Sequence, residues 1–198
     1  HSKNSYTQGL LYHNSALYES TGQRGFSKLM KVDLGTGQAE KSISLEDNFF
    51  GAGLTLLNDR LYQLTWTSQT GFVYDLDNFK RIGTFSYTGE GWGLTSDEKH
   101  LIMSDGSNEL RFINPNTFRV EKTVQVMDDK GAITKLNELE YVNGEIWANY
   151  YEYNVFKIYR INPKSGEVLG VINLKGILTK EDDHMGLDVL NGIAYDKI

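Results

Sequence analysis

The sequence of 198 residues contains no cysteine, only two prolines and no apolar run long enough to span a bilayer. The absence of cysteine excludes disulfides and thiolate chemistry, and it leaves the cellular compartment undecided. The formal net charge of −6 argues against a nucleic-acid partner, because proteins that bind nucleic acids usually carry a basic face. No polybasic patch is present for a membrane surface. We therefore expect neither nucleic acid nor a membrane as a partner.

Aromatic residues and glycine are plentiful instead. The chain has 12 tyrosines, 20 glycines and 12% aromatic residues overall. This balance predicts many short strands joined by tight turns rather than helices. We expect one short helical piece at residues 177–181 and a long connection at residues 128–136.

A short segment in which a leucine or isoleucine follows a strand start recurs five times. The repeated residues are 40 to 54 positions apart, at Leu10, Leu54, Leu94, Leu139 and Ile193. A period of roughly 40–50 residues is typical of propeller blades. The spacing predicts an all-β fold, a five-bladed β-propeller that forms a single domain over residues 1–198. We place the blades at about 6–45, 51–87, 90–126, 136–174 and 186–198, the last one incomplete at its C-terminal end.

The residue two places before each repeated leucine or isoleucine is expected near one mouth of the central channel. These residues are Gln8, Ala52, Trp92, Asn137 and Asn191. Ala52 lies between two glycines that permit close approach, but its methyl group carries no chemistry. The amides of Gln8 and Asn137 can bind a carbonyl or an amine. They can equally satisfy the backbone of nearby loops, and the sequence leaves both interpretations open.

Aromatic side chains near the same strand starts could line a pocket, although aromatics on strands more often belong to the core. The candidates are Tyr6, Phe50, Trp66, Trp92 and Tyr151. Trp92 differs from the others because it lies between Gly91 and Gly93, where backbone packing alone would not need an indole.

Three carboxylates, Glu19, Glu138 and Glu140, occur in otherwise apolar strands. Because a buried carboxylate is costly without hydrogen bonds, we expect these groups to tie blades together through backbone amides. Asp105 is predicted to form a turn. The four histidines are scattered, and the chain has no phosphate loop, nucleophile elbow or dinucleotide fingerprint. We expect no metal and no cofactor.

Nine short motifs occur in order along the chain: Tyr-Thr-Gln-Gly-Leu (6–10), Glu-Ser-Thr-Gly (19–22), Phe-Gly-x-Gly-Leu-Thr (50–55), Leu-Thr-Trp (64–66), Trp-Gly-Leu-Thr (92–95), Ser-Asp-Gly-Ser (104–107), Asn-Glu-Leu-Glu-Tyr (137–141), Trp-Ala-Asn (147–149) and Asn-Gly-Ile-Ala-Tyr-Asp (191–196). Together they resemble the plant and bacterial type of glutaminyl cyclase, also called glutamine cyclotransferase. An unrelated sugar- or protein-binding propeller would not require so complete a set.

The resemblance implies a five-bladed propeller and a reaction. The α-amino group of an N-terminal glutamine attacks the carbon of its own side-chain amide, ammonia leaves, and a pyroglutamyl end forms. In the family a glutamate between the two glycines of the Phe-Gly-x-Gly motif moves the protons. The matching position here is Ala52, so the resemblance also implies that cyclisation by this chain is impaired. The alternative is a non-catalytic propeller that binds peptide N-termini.

The resemblance also implies the substrate-binding positions. They are Tyr6, Gln8, Phe50, Trp66, Trp92, Asn137 and Tyr151, the last at a position where the family usually has tryptophan. The implied partners are peptides or proteins with an N-terminal glutamine, and we expect a monomer. Family members are extracytoplasmic, so we expect a secreted or periplasmic protein, although no leader opens the chain.

Overall fold

The computed structural model describes residues 5–179 and 187–197. These residues contain eighteen β-strands and no helix, which confirms the predicted all-β class. Sixteen of the strands form four sheets of four antiparallel strands, and each sheet follows the order of the chain. None of the described residues belongs to a helix that could cross a membrane.

The four sheets are arranged as blades. Blade one contains β1 (Thr7–His13), β2 (Ala16–Thr21), β3 (Lys28–Asp33) and β4 (Ala39–Ser44). Blade two contains β5 (Gly51–Leu57), β6 (Arg60–Thr65), β7 (Thr70–Asp75) and β8 (Arg81–Ser86). Blade three contains β9 (Leu94–Ser96), β10 (Leu101–Ser104), β11 (Glu109–Ile113) and β12 (Val120–Gln125). Blade four contains β15 (Leu136–Val142), β16 (Glu145–Tyr150), β17 (Lys157–Ile161) and β18 (Val168–Asn173).

The core lies between the faces of neighbouring blades. One cluster of buried side chains joins blades one and two, a second joins blades two and three, and a third joins blades three and four. At the first of these interfaces Leu29 and Leu61 have no exposed surface. This radial packing of sheets face to face confirms the propeller arrangement predicted from the repeat.

The inner strands approach one another at backbone distance, and glycine makes this possible. A Cβ atom added to Gly53 would lie 2.4 Å from the backbone nitrogen of Leu94 in the next blade. One added to Gly9 would lie 2.4 Å from the backbone nitrogen of Leu54. Gly53 N also donates to the carbonyl oxygen of Trp92 at 2.7 Å. Each glycine before a repeated leucine in the first three blades therefore lets its strand contact the next blade directly.

We expect Gly53→Ala to lower the free energy of unfolding by about 1–3 kcal/mol, because backbone atoms cannot yield to the added methyl group. Gly83→Ala in β8 is the matched control, since its Cβ would lie 3.7 Å from Val73 Cβ in ordinary contact. Urea denaturation of both variants measures the difference. Equal midpoints for the two variants would contradict the close packing of the inner strands.

The prediction of a fifth blade is wrong for the described residues, which form four blades. Residues 187–197 form no strand. Backbone N–H groups there donate to side chains instead of to a neighbouring strand: Ile193 N to Glu138 Oε2 at 2.9 Å and Tyr195 N to Glu140 Oε1 at 3.1 Å. The amide of Asn191 reaches the carbonyl oxygen of Thr7 at 3.0 Å. This segment therefore lies between blade four and blade one.

Two predictions about connections also need correction. Residues 177–179 form no helix, although Ile177 N donates to Leu174 O at 3.0 Å, while residues 180 and 181 lie outside the described residues. The connection at 128–136 contains part of a small hairpin formed by β13 (Met127–Asp128) and β14 (Gly131–Ala132). The carboxylate of Asp128 accepts from the backbone nitrogens of Lys130 and Gly131 and so stabilises the turn.

Candidate active site

A cavity of about 100 Å³ lies where the inner strands begin. Its lining consists of Tyr6, Gln8, Phe50, Ala52, Trp66, Gly91, Trp92, Asn137 and Tyr151. The structure thus brings together, around one cavity, eight of the nine positions singled out from the sequence and adds Gly91. Asn191, also expected at this mouth, does not line the cavity, but its amide donates to Gln8 Oε1 at 3.3 Å.

Irregular strand pairing turns the polar and small lining residues toward the cavity. The register of β1 with β2 shifts between Thr7 and Gly9, that of β5 with β6 shifts between Gly51 and Leu54, and that of β15 with β16 shifts between Leu136 and Leu139. Gln8, Ala52 and Asn137 lie within these three shifts. Bulges of this kind change the direction of a side chain and are common beside active sites.

The two amide side chains of the lining are buried. Gln8 is 9% exposed, and its Oε1 accepts from Asn191. Asn137 is 2% exposed, and its Oδ1 makes no hydrogen bond with the described residues. A buried acceptor without a partner is costly unless a bound group satisfies it. Asn137 is therefore suited to accept a hydrogen bond from an N–H group of a ligand.

Aromatic rings form most of the remaining wall. Phe50 meets Tyr6 edge to face at 5.8 Å between ring centroids and meets Trp66 at 5.4 Å. Trp92 meets Tyr151 at 5.4 Å on the other side. Trp66 is 37% exposed and marks the open end of the cavity. The edge-to-face contacts hold the rings in fixed orientations, which suits an enclosed site for an apolar stem.

None of the described residues that line the cavity is a carboxylate, and the side chain at position 52 is a methyl group that is 1% exposed. Two carboxylates of the described residues contact the lining from outside. Glu90 Oε2 accepts from Trp66 Nε1 at 2.6 Å and from Trp92 Nε1 at 2.7 Å. Tyr6 donates its hydroxyl proton to Asp188 Oδ2 at 2.8 Å. Burial raises the pKa of Tyr6, and its hydrogen bonds to Tyr151 and Asp188 raise it further, so this hydroxyl stays protonated.

Sequence reasoning missed Glu90 and Asp188. Glu90 directly precedes Gly91 and Trp92 in the sequence, and this position indicates that it lies close to the site. Its bond to Trp66 in another part of the chain, however, depends on the packing of neighbouring blades, which no local pattern reports.

Glu138 and Glu140 lie behind the site, on the inner strand of blade four. Glu138 stands directly before Leu139, at the position that glycine holds in the first three blades, and it is fully buried. Its carboxyl group accepts from Leu10 N at 3.4 Å and from Ile193 N at 2.9 Å. Burial raises the pKa of Glu138 well above its ordinary value, and the adjacent Glu140 raises it further. Glu138 therefore ties blade four to blade one through the backbone amide of Leu10, as expected. The backbone amide bound by Glu140 is that of Tyr195, which belongs to no blade.

The other two predicted polar residues serve local structure. Glu19 accepts from Thr7 Oγ1 at 2.6 Å inside blade one. Asp105 Oδ1 accepts from Ser107 N at 3.0 Å and so forms the predicted turn, and its other oxygen pairs with Arg111.

The two histidines that the structure describes do not form a common site. His13 contacts Asn14, and His100 pairs with Asp97 and Glu121. His1 and His184 lie outside the described residues. Within residues 5–179 and 187–197 no three His, Cys, Asp or Glu side chains are placed to share a metal ion.

Two sequence comparisons bear on this cavity and its fold. Residues 1–198 match the family model described as glutamine cyclotransferase. The chain is 44% identical over 202 residues to the protein of Arabidopsis thaliana named glutaminyl-peptide cyclotransferase. The match covers 99% of this chain and 62% of the Arabidopsis protein. The chain therefore spans less than two thirds of this relative.

Two solved structures are similar to this chain in their fold. The crystal structure of Myxococcus xanthus glutaminyl cyclase matches 100% of this chain and 84% of its own, with a TM-score of 0.90 and 36% identity. The WD40 propeller domain of Doa1 matches 83% of this chain and 52% of its own with a TM-score of 0.58, and at 14% identity this likeness concerns the fold alone. The match of the family model over the whole sequence shows that the chain belongs to the glutamine cyclotransferase family.

Proposed function

We propose that this protein holds the N-terminal glutamine of peptides and proteins in the aromatic cavity, and that its conversion of that residue to pyroglutamate is strongly impaired. The observation that carries the proposal is the position of Ala52. Its side chain lines the same cavity as Gln8 and Asn137, at the position where members of the family resembled by the sequence have glutamate. The relative from Arabidopsis thaliana bears the name of this activity.

The reaction is intramolecular, so the protein needs to supply no nucleophile. The α-amino nitrogen forms a bond to the side-chain amide carbon, and that carbon loses its nitrogen as ammonia. The protein contributes by holding the two groups together, moving protons and excluding water. Asn137 Oδ1 accepts an N–H of the bound glutamine, Gln8 binds beside it, and the rings of Phe50 and Trp92 pack against its methylene groups.

Proton transfer is the step that this cavity lacks. An α-amino group has an ordinary pKa of about 8 and must lose a proton before it attacks. Ala52 cannot accept that proton. Among the described residues, the carboxylates of Glu90 and Asp188 contact the lining, and both already accept hydrogen bonds: Glu90 from two indoles and Asp188 from the Tyr6 hydroxyl. Ala52 therefore also favours a second function, a propeller that binds glutamine-initiated peptides without chemistry.

Calorimetry with matched peptides tests the binding step common to both functions. A peptide that begins with glutamine should bind, whereas one that begins with glutamate should bind more weakly, because burying its charged side chain in this cavity is costly. Trp66→Ala should weaken binding of the first peptide about tenfold through loss of apolar contact. Ile82→Ala removes a side chain of similar exposure on an outer strand and should leave binding unchanged. Absence of binding by the unaltered protein would exclude both functions.

A further inference from the structure

The cavity is too small to contain more than the first residue of a peptide. Its volume of about 100 Å³ is well below the roughly 300–1,000 Å³ of pockets that enclose drug-sized ligands. Asn137 Oδ1, buried and without a partner among the described residues, indicates that the cavity receives a polar group. The second residue of a bound peptide must then lie at the rim, where Trp66 is exposed.

The rim carries carboxylates in direct contact with the lining. Glu90 bridges the indoles of Trp66 and Trp92, and Asp188 accepts from Tyr6. In the part of the chain that the structure describes, no cationic side chain is hydrogen-bonded to a side chain of the lining, and neither carboxylate has an ion-pair partner among the salt bridges found there.

Cationic side chains in the same region are held in other interactions. Arg111 donates to the carbonyl oxygen of Thr88, two residues before Glu90, and pairs with Asp105. Arg24 donates to Thr67 Oγ1 and to the carbonyl oxygen of Asn48. Lys135 pairs with Glu152. These cations therefore oppose the rim carboxylates only partly, and the immediate edge of the cavity is acidic.

We propose that Glu90, together with Asp188, makes this site selective for peptides in which a basic residue follows the N-terminal glutamine. This inference rests on the proposed function, since it concerns the residue next to the one in the cavity. Glu90 is a specificity-determining residue here, and its two indole bonds fix its carboxylate at the rim. A lysine or arginine side chain in the second position reaches that carboxylate, whereas an acidic side chain is repelled.

The test is calorimetric titration with three peptides that begin Gln-Lys, Gln-Gln and Gln-Glu and are otherwise identical. At low ionic strength we expect the Gln-Lys peptide to bind about tenfold more tightly than the Gln-Glu peptide, with the Gln-Gln peptide between them. At 1 M salt, where the screening length is about 3 Å, the ratio should fall to about twofold or less.

Glu90→Gln is the matched variant, because the amide oxygen of glutamine can still accept from both indoles while the charge is removed. We expect it to reduce the low-salt ratio of the affinities for the Gln-Lys and Gln-Glu peptides about threefold. Arg24→Gln should act in the opposite direction and increase the preference for the Gln-Lys peptide.

The outcomes separate the two proposals. Equal affinity for the three peptides, a preference for the Gln-Glu peptide, or a ratio unaffected by Glu90→Gln would overturn the selectivity and leave the proposed function in place. Failure of all three peptides to bind would overturn the proposed function and the selectivity with it.

Discussion

Replacing Ala52 with glutamate is expected to raise the rate of cyclisation of a glutamine-initiated peptide by about 10²–10⁴-fold, the usual contribution of general acid–base catalysis. The backbone on both sides of position 52 packs against other strands: Gly51 approaches the carbonyl oxygen of Thr21, and Gly53 approaches Leu94 N. Ala52 itself lines the cavity, so we expect the longer side chain to extend into it, beside Gln8 and Asn137.

The surroundings also suit the chemistry. Position 52 is 1% exposed, and rings form much of the cavity wall, so burial should raise the pKa of a carboxyl group there. A raised pKa brings the pKa of the introduced carboxyl group closer to that of the α-amino group whose proton it must take. This smaller difference favours proton transfer near neutral pH. The same burial should cost some folding stability, because a carboxylate is desolvated where a methyl group was.

Ala52→Gln is the control for the shape of the new side chain, since it has nearly the same size and no basic oxygen. Release of ammonia and loss of the peptide's primary amine, followed together, measure the reaction. We expect Ala52→Gln to remain at the level of the unaltered protein. A rate for Ala52→Glu no higher than that of Ala52→Gln would show that position 52 does not serve as the proton-transfer site.

The propeller could be predicted from the sequence because its signal is local and periodic. A leucine after a glycine marks the inner strands of the first three blades, and the interval between repeats has the length of one blade. The cavity followed from the same register, because the residue two places before each repeated leucine lies at the strand start. Gln8, Ala52 and Asn137 line the cavity for this reason.

The rest depended on contacts between distant parts of the chain. Glu90 reaches Trp66 only because two blades pack side by side, and Asp188 reaches Tyr6 across nearly the whole sequence. The predicted strand near Ile193 failed for a related reason. The backbone N–H of Ile193 donates to the buried carboxyl group of Glu138. The local sequence around Ile193 does not show whether this N–H will bond to a side chain or to the backbone of a neighbouring strand.

Two carboxyl groups of blade four, the buried Glu138 and the half-buried Glu140, should make folding stability depend on pH. The pKa of Glu140 is raised to about 7, and the largest cause is desolvation by burial. The hydrogen bonds from Tyr195 N and Thr95 Oγ1 and the charge of Lys197 lower the pKa but do not cancel this effect. The ordinary value is 4.5, so the folded protein binds a proton here more readily than the unfolded chain does. The stability associated with this group is fully present below about pH 4.5 and is lost as the pH rises through 7. The shift corresponds to about 3 kcal/mol.

Glu140→Gln should remove this dependence. In the unaltered protein Tyr195 N lies 3.1 Å from Glu140 Oε1. The amide oxygen of the variant can still accept from Tyr195 N, and its amide nitrogen can donate to Thr95 Oγ1. We expect the variant to match the unaltered protein near pH 4.5 and to exceed it in free energy of unfolding by up to about 3 kcal/mol at pH 8. Glu138→Gln should change stability in the same direction, because burial also raises the pKa of Glu138.

Glu145→Gln provides a control of opposite sign. The hydrogen bond from Arg160 lowers the pKa of Glu145, so its contribution to stability is present above the ordinary carboxyl pKa and is lost as the pH falls below it. This variant should therefore be less stable than the unaltered protein at pH 8. Urea denaturation between pH 4.5 and 8.5 measures all three variants. If Glu140→Gln and the unaltered protein lose stability in parallel as the pH rises, the carboxyl group of Glu140 is already charged in the folded state, and the anchoring of Tyr195 involves no buried proton.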